Sequence, residues 1–453
     1  MFEFGRELRR IFSGARSFAP NHDGFSGGDA TLLELLDLTM LKAEAKSADI
    51  AAGRISAKDR PQRQLEAAIV WRELARRTGD AVALRKAAAG AERAADSFGE
   101  AHRQQGWARA RVEQARCALL GAELFGDKGL DAAAERAAGQ AHRTGGAAGM
   151  LALAMLVEIK GRRAVLAGSL TETRAAVREF NDPIATLEQA GRRESTLKLA
   201  AAELRIARAE MLSGAGQRLK DESLLRAACG DLAAAAERLD TTYEPLTLGR
   251  IAIARAAARA ALAEMTGDVA GLAKAIGELA AALDAVARDH SPLDWATGQA
   301  TLAQALSQLG EATASEAAFD KAVAGFDRAA LALEDAPGLL LRAQVAAGRG
   351  LCLARCAELT GDLGTLDAAE AAFKTELIAG PHRQNPVAWA MLQVQLGQLY
   401  ATRLSLTGKD RGERAAAALA FQSAMDVFGE EGLRSFTAIA ADGLERLAAV
   451  RVG

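Results

Sequence analysis

Thr78-Gly79-Asp80, Thr266-Gly267-Asp268 and Thr360-Gly361-Asp362 are three copies of one tripeptide. Glycine in that position suits a helix exit that needs a positive φ, and aspartate suits the N-cap of the helix that follows. Glycines with the same role are expected at Gly126, Gly168, Gly214, Gly310 and Gly408, so that the eight recur at intervals of 42 to 53 residues. A period of this size marks a stack of helical hairpins, each unable to bury its apolar face alone. Pro245, Pro292, Pro337 and Pro386 keep the same period, 47, 45 and 49 residues apart. Proline is tolerated in a first helical turn, where its missing N–H costs nothing, so these positions mark the start of the first helix of each hairpin. Ser291 and Asn385 precede two of them as polar caps.

Composition points the same way. Half of the 453 residues are hydrophobic, and alanine is abundant while Pro, Tyr and Trp are scarce, which favours helix and disfavours strand. Lys+Arg number 56 against 58 Asp+Glu, with no run of like charge, so no bulk field attracts a polyanion and nucleic acid is not an expected partner. The Arg, Ala and Gly load suits a high-GC bacterial genome. Four cysteines, Cys117, Cys229, Cys352 and Cys356, are too sparse for a disulfide scaffold, and the longest apolar stretch, Ala147 to Ile159, falls short of the roughly 20 residues of a membrane span. A cytoplasmic location without signal peptide is expected, with membrane association through the N-terminus as the variant of that expectation.

The second helices carry a sharper pattern. Ala94, Phe98 and Ala101, then Ala322, Phe326 and Ala329, then Ala417, Phe421 and Ala424 each read A-x3-F-x2-A, and Ala369 with Phe373 gives its first half. Leu396, Gly397 and Tyr400 form L-G-x2-Y, and Trp107-Ala108, Trp295-Ala296 and Trp389-Ala390 open three first helices alike. Together these resemble tetratricopeptide (TPR) repeats, although the unit here averages about 47 residues against 34 for that family. The resemblance implies an all-α solenoid of about eight antiparallel hairpins, with first helices lining a concave surface that binds protein segments. A HEAT-like superhelix is the alternative at this period. Residues 57–430 are expected to hold the array, 29–56 an N-terminal capping helix and 431–453 a C-terminal one. Such a stack should extend well beyond a sphere of its mass unless the superhelix closes on itself.

Residues 1–28 differ. Helical spacing gathers Phe4, Leu8, Ile11 and Phe12 on one face and places Arg6, Arg9 and Arg10 largely on another, with Asn21 to Gly28 as a tether. Such a segment can lie on an anionic membrane, dock in a partner, or fold back on the solenoid as a cap. Within the array, Arg255, Arg259, Gln299, Gln304, Arg349, Gln393 and Gln395 interrupt Ala- and Leu-rich first helices and are the candidate protein-binding residues. Cys352 and Cys356, four apart, read as buried small residues at a helix seam rather than a metal pair. Trp107, Trp295 and Trp389 read as packing residues between layers. His102, His142, His290 and His382 fall at hairpin junctions, where they would meet helix ends. No phosphate loop, G-x-G-x-x-G, H-E-x-x-H or G-x-S-x-G is present. The reading is therefore a non-enzymatic scaffold or adaptor without cofactor or metal. A peripheral membrane organiser and a helical-repeat enzyme are the alternatives.

Overall fold

In the computed structural model, which describes residues 30–54, 59–167, 169–336, 338–379 and 386–450, each Thr-Gly-Asp turn ends one helix and caps the next. Gly79, Gly126, Gly267, Gly361 and Gly408 all hold φ between 63° and 71°. The Asp80 carboxylate accepts from the Val82 amide at 2.7 Å, Asp268 from Gly271 at 2.8 Å and Asp362 from Gly364 at 3.0 Å. The turn chemistry is local, so it is fully encoded in three residues.

The described residues are all helix and connection, with no strand among them. Helices α1 (Ala30–Leu33) and α2 (Leu38–Gly53) precede eight hairpins. These are α3/α4 (Arg60–Thr78, Ala81–Glu100), α5/α6 (Gln104–Phe125, Lys128–His142), α7 (Gly146–Ala167) with the broken pair α8/α9 (Leu170–Arg178, Asn181–Ala190), and α10/α11 (Ser195–Leu219, Glu222–Ala236). Then come α12/α13 (Pro245–Thr266, Val269–Ala285), α14/α15 (Pro292–Thr313, Glu316–Ala332), α16/α17 (Leu340–Thr360, Leu363–Ala379) and α18/α19 (Pro386–Thr407, Glu413–Glu430), before a closing α20 (Arg434–Ala449). The fold is an all-α solenoid of antiparallel hairpins, TPR-like in its packing.

That packing explains the sequence signature. Phe98, Phe326, Phe373 and Phe421 are all buried, and the alanines that begin each motif are fully covered. A Cβ on Gly397 would lie 2.9 Å from the Phe421 ring, and one on Gly443 of α20 would lie 2.5 Å from it. Each of these four rings thus rests on the bare backbone of a glycine in a first helix, Gly106, Gly348, Gly350 and Gly397 in turn, and the glycine of L-G-x2-Y is there to admit it.

Three expectations are corrected. Gly214 sits inside α10, which runs on to a left-handed Lys220 (φ 52°), and Gly310 sits inside α14, which ends at a left-handed Ala314 (φ 51°). Both helices outrun the glycine, and at Gly310 its bareness serves contact instead: an added Cβ would lie 3.0 Å from Phe319. The third repeat has three helices rather than two. Pro183 fits only the first turn of a helix, so α9 restarts there, with Phe180 fully buried at the break. Phe4, Leu8, Ile11, Phe12, Arg6, Arg9 and Arg10 lie outside the described residues, as do Gly168, Pro337, His382 and Asn385.

The array does not extend as a rod. It coils so tightly that the first two hairpins meet those five places later: α3 packs on α14, and α5 on α16. Arg76 of α3 pairs with Asp294 of α14 at 3.4 Å, and Leu124 and Phe125 of α5 enter the apolar cluster of α14 to α16. The most specific contact across this seam comes from Glu34, only 3% exposed. Its carboxylate accepts from the Leu246 and Thr247 amides at 2.9 and 3.0 Å and from the Thr247 hydroxyl. It thereby caps α12 from more than 200 residues away, supplying negative charge to the helix N-terminus. His290 Nε2 lies 2.7 Å from the Glu34 carbonyl oxygen. The fully buried Arg77 fixes the same short segment by donating to the Leu33 and Leu36 carbonyls at 2.5 and 2.6 Å and to Glu73 at 2.7 Å.

Candidate functional site

Closure leaves a cavity of about 590 Å³ on the superhelix axis. Six successive first helices wall it, α3, α5, α7, α10, α12 and α14, with Leu232 of α11 reaching in between. Small and aliphatic residues make up much of the surface, including Ala200, Ala207, Ala254, Ala257 and Ala258, because a helix that presents alanine leaves lumen beside it. Charged residues interrupt that surface in complementary groups. Arg72 and Arg76 come from α3, Arg116 and Glu123 from α5, Glu158 and Arg162 from α7, Glu203 and Glu210 from α10, Arg250 from α12 and Asp294 from α14.

One side of the wall is neutralised. Arg72 is held by Glu113 at 2.5 Å, and Arg76 by Glu73 at 2.6 Å. Burial would push the Glu73 carboxyl up, but Arg76, Arg77 and Arg250 together hold it well below the usual carboxylate range. Arg250 lies 3.3 Å from Asp294, which Arg250, Arg76 and a Ser291 hydrogen bond keep low against the cost of burial.

The other side is not. Glu123, Glu158, Glu203 and Glu210 converge there around Arg162, which bonds Glu158 at 2.6 Å and also reaches Glu123. Arg116 touches Glu203 only at 3.8 Å, and Glu210 has no ion-pair or hydrogen-bond partner among the described residues. Glu210 is open to the lumen, but the lumen is enclosed by protein on its sides. Desolvation, then the Glu123 charge, raises its pKa to about 7 against the pull of Arg162 and Arg250. Glu158 is likewise raised to about 7 by burial and by Glu123, Glu210 and Glu203, with Arg162 opposing. Four carboxylates facing Arg162 and the more distant Arg116 therefore leave unmet demand for positive charge.

The residues singled out in the sequence lie elsewhere on these helices. Arg259 pairs with Glu278 of α13 at 2.6 Å, Arg349 with Asp327 of α15 at 2.6 Å, and Gln299 accepts from Arg328 of α15 at 3.1 Å. Arg255 and Arg259 both face Cys229 of α11 closely enough to bear on its thiol. These side chains lie toward second helices, not toward the axis. One residue of phase rotates a side chain by about 100°, so Arg255 beside Ala254 belongs to a different face. Gln393 and Gln395 are half-buried on α18, which takes no part in the wall, and Gln395 Oε1 is buried without a hydrogen-bond partner among the described residues. Gln304 is exposed, and helical spacing puts it on the stripe of Thr297 and Thr301 that lines the cavity. Sequence reasoning missed Glu123, Glu158, Glu203 and Glu210. Their one signal was recurrence of glutamate on three successive first helices, in the repeats that match the family pattern least.

No protein-family model matches the chain, and no curated protein does. Solved structures of helical repeat proteins are similar to it, two of them as follows. One is a Rap protein complexed with Competence and Sporulation Factor, with TM-score 0.47 and 12% identity over 90% of this chain and 100% of that one. The other is a circular tandem repeat protein with novel repeat topology, with TM-score 0.27 and 16% identity over 92% of this chain and 97% of that one.

The remaining motifs are packing features. Cys352 and Cys356 are buried in the α14–α16 cluster, the Cys352 thiol meeting the Phe319 carbonyl oxygen at 3.8 Å, and burial raises both thiols. Trp107, Trp295 and Trp389 are half-buried against neighbouring clusters, with Arg111 over the Trp107 ring and Arg288 over that of Trp295. His142 Nδ1 and His290 Nε2 both meet backbone carbonyl oxygens, of Gly149 and Glu34. Among the described residues no helix is long and apolar enough to cross a membrane.

Proposed function

We propose that this protein is an interaction scaffold whose axial cavity receives an extended protein segment bearing a basic side chain. The observation that carries the reading is Glu210: a carboxylate open to the lumen, without an ion-pair partner among the described residues, beside three other carboxylates that share only Arg162 and the more distant Arg116. A lysine or arginine entering there would replace lost hydration with charge-assisted hydrogen bonds and let Glu158 and Glu210 ionise. The alanine-rich wall leaves room for backbone, and Thr297, Thr301 and Gln304 offer it hydrogen bonds. A non-catalytic role in a bacterial cytoplasm belongs to the same reading.

Selection from a displayed peptide library tests it. The wild-type chain should enrich sequences with Lys or Arg among small and aliphatic residues, and the variant Glu158→Gln/Glu210→Gln should lose that enrichment while melting no lower than wild type. Equal enrichment by both proteins, or none by either, would overturn the assignment. Affinity for the selected peptide should rise between pH 6 and 8, since a cation favours the deprotonated carboxylates.

A further inference from the structure

A second cavity, of about 1170 Å³, opens where the first hairpin meets the next superhelical turn. Its floor is apolar, with Leu38, Leu74, Phe125 and Pro292 in the lining and Val82, 51% exposed, at its edge. Its rim is acidic: Asp80, Asp127, Asp289 and Asp335 stand against Lys42 and Arg288. Asp80 and Asp127 cap α4 and α6, whereas Asp289 and Asp335 have no ion-pair partner among the described residues.

We propose that residues 1–18 of this same chain occupy this groove. Their apolar residues Phe4, Leu8, Ile11 and Phe12 match the floor, and Arg6, Arg9, Arg10 and Arg16, against Glu3 and Glu7, match the rim. Position supports the charge argument. The described chain begins at Ala30 in α1, and Leu38 and Lys42, a few residues on, already form one wall of the groove. Residues 19–29 can span up to about 36 Å, and eighteen residues as a helix cover about 27 Å. The segment therefore reaches the groove without leaving the molecule. Docked there, it would lie across the seam between α3/α4 and the α14–α16 region, adding contacts to both sides.

Hydrogen exchange on the full chain tests this. In R6E/R9E/R10E, amides of residues 78–82 and 332–336 should exchange severalfold faster than in wild type. In D289R/D335R, residues 4–12 should lose protection, and combining the two sets should restore protection on both sides. Should D289R/D335R fail to fold, exchange in the N-terminal variant decides alone. Unchanged exchange would overturn the proposal. So would protection that appears only as protein concentration rises, which assigns the groove to a second copy, or protection of residues 4–12 only when anionic vesicles are added, which assigns them to a membrane.

Discussion

Neighbouring hairpins and the seam between superhelical turns hold this protein together by different means. Between neighbouring helices the contacts that repeat with the sequence are apolar: a phenylalanine on one helix, a glycine or alanine on an adjacent one, as with Phe421 against Gly397 and Gly443. Across the seam Leu124 and Phe125 add apolar contact, but the contacts that occur once and have no counterpart between neighbours are polar: Glu34 on the α12 N-terminus, Arg76 with Asp294, His290 at the Glu34 carbonyl. Neighbour packing makes the solenoid fold, because each unit buries its face on the next. Seam contacts set how far the superhelix winds, and so whether an enclosed lumen exists.

Removing the ring at a neighbour interface should have the largest effect. Phe421→Ala leaves a cavity facing bare glycine backbone that cannot collapse easily and should cost about 3–5 kcal/mol in chemical denaturation. A loss below about 1 kcal/mol would mean that the ring-on-backbone packing does not carry the repeat. Glu34→Ala tests the other side. It strips two helix amides and a hydroxyl of a buried acceptor and should cost about 1–3 kcal/mol. Its distinctive result is a larger scattering radius with helical content unchanged. Loss of helicity on that scale would place Glu34 in the folding of the hairpins themselves.

How much of this was legible follows from the same contrast. The turns were readable because glycine and aspartate act within three residues, and Phe98, Phe326, Phe373 and Phe421 because a helix repeats its contacts with the chain. Gly214 and Gly310 misled because a glycine can serve a close approach as well as a turn, and one sequence cannot say which. Glu34 offered no local sign: its partners are more than 200 residues away and the buried carboxylate reads as a solvated one. The cavity was half legible. First helices do line it, but the phase that separates Ala254 from Arg255 depends on which way the superhelix curves, and closure decides that.

Two smaller effects sharpen the comparison. A Cβ at Gly361 would meet nothing within 4 Å, so Gly361→Val isolates the cost of a positive φ and should lower stability by about 1 kcal/mol. No change in melting would mean that the turn tolerates a side chain. Smaller still is the effect of the lumen carboxylates. The folded pKa of Glu158 and Glu210, about 7, lies above the ordinary 4.5. The native state therefore holds more protons than the unfolded one between those values, and stability falls as pH rises from 4.5 through 7. Glu158→Gln/Glu210→Gln should flatten that slope and melt higher than wild type at pH 8. A steeper slope in the variant would show that these groups are held ionised.

Small-angle scattering of the full chain in dilute solution tests most directly whether the superhelix closes. With α3 packed on α14 and α5 on α16, the radius of gyration should stay below about 30 Å, close to the roughly 22 Å of a compact chain this long. A rod-like distance distribution with a radius above about 40 Å, as sixteen helices layered at about 10 Å would give, would contradict it.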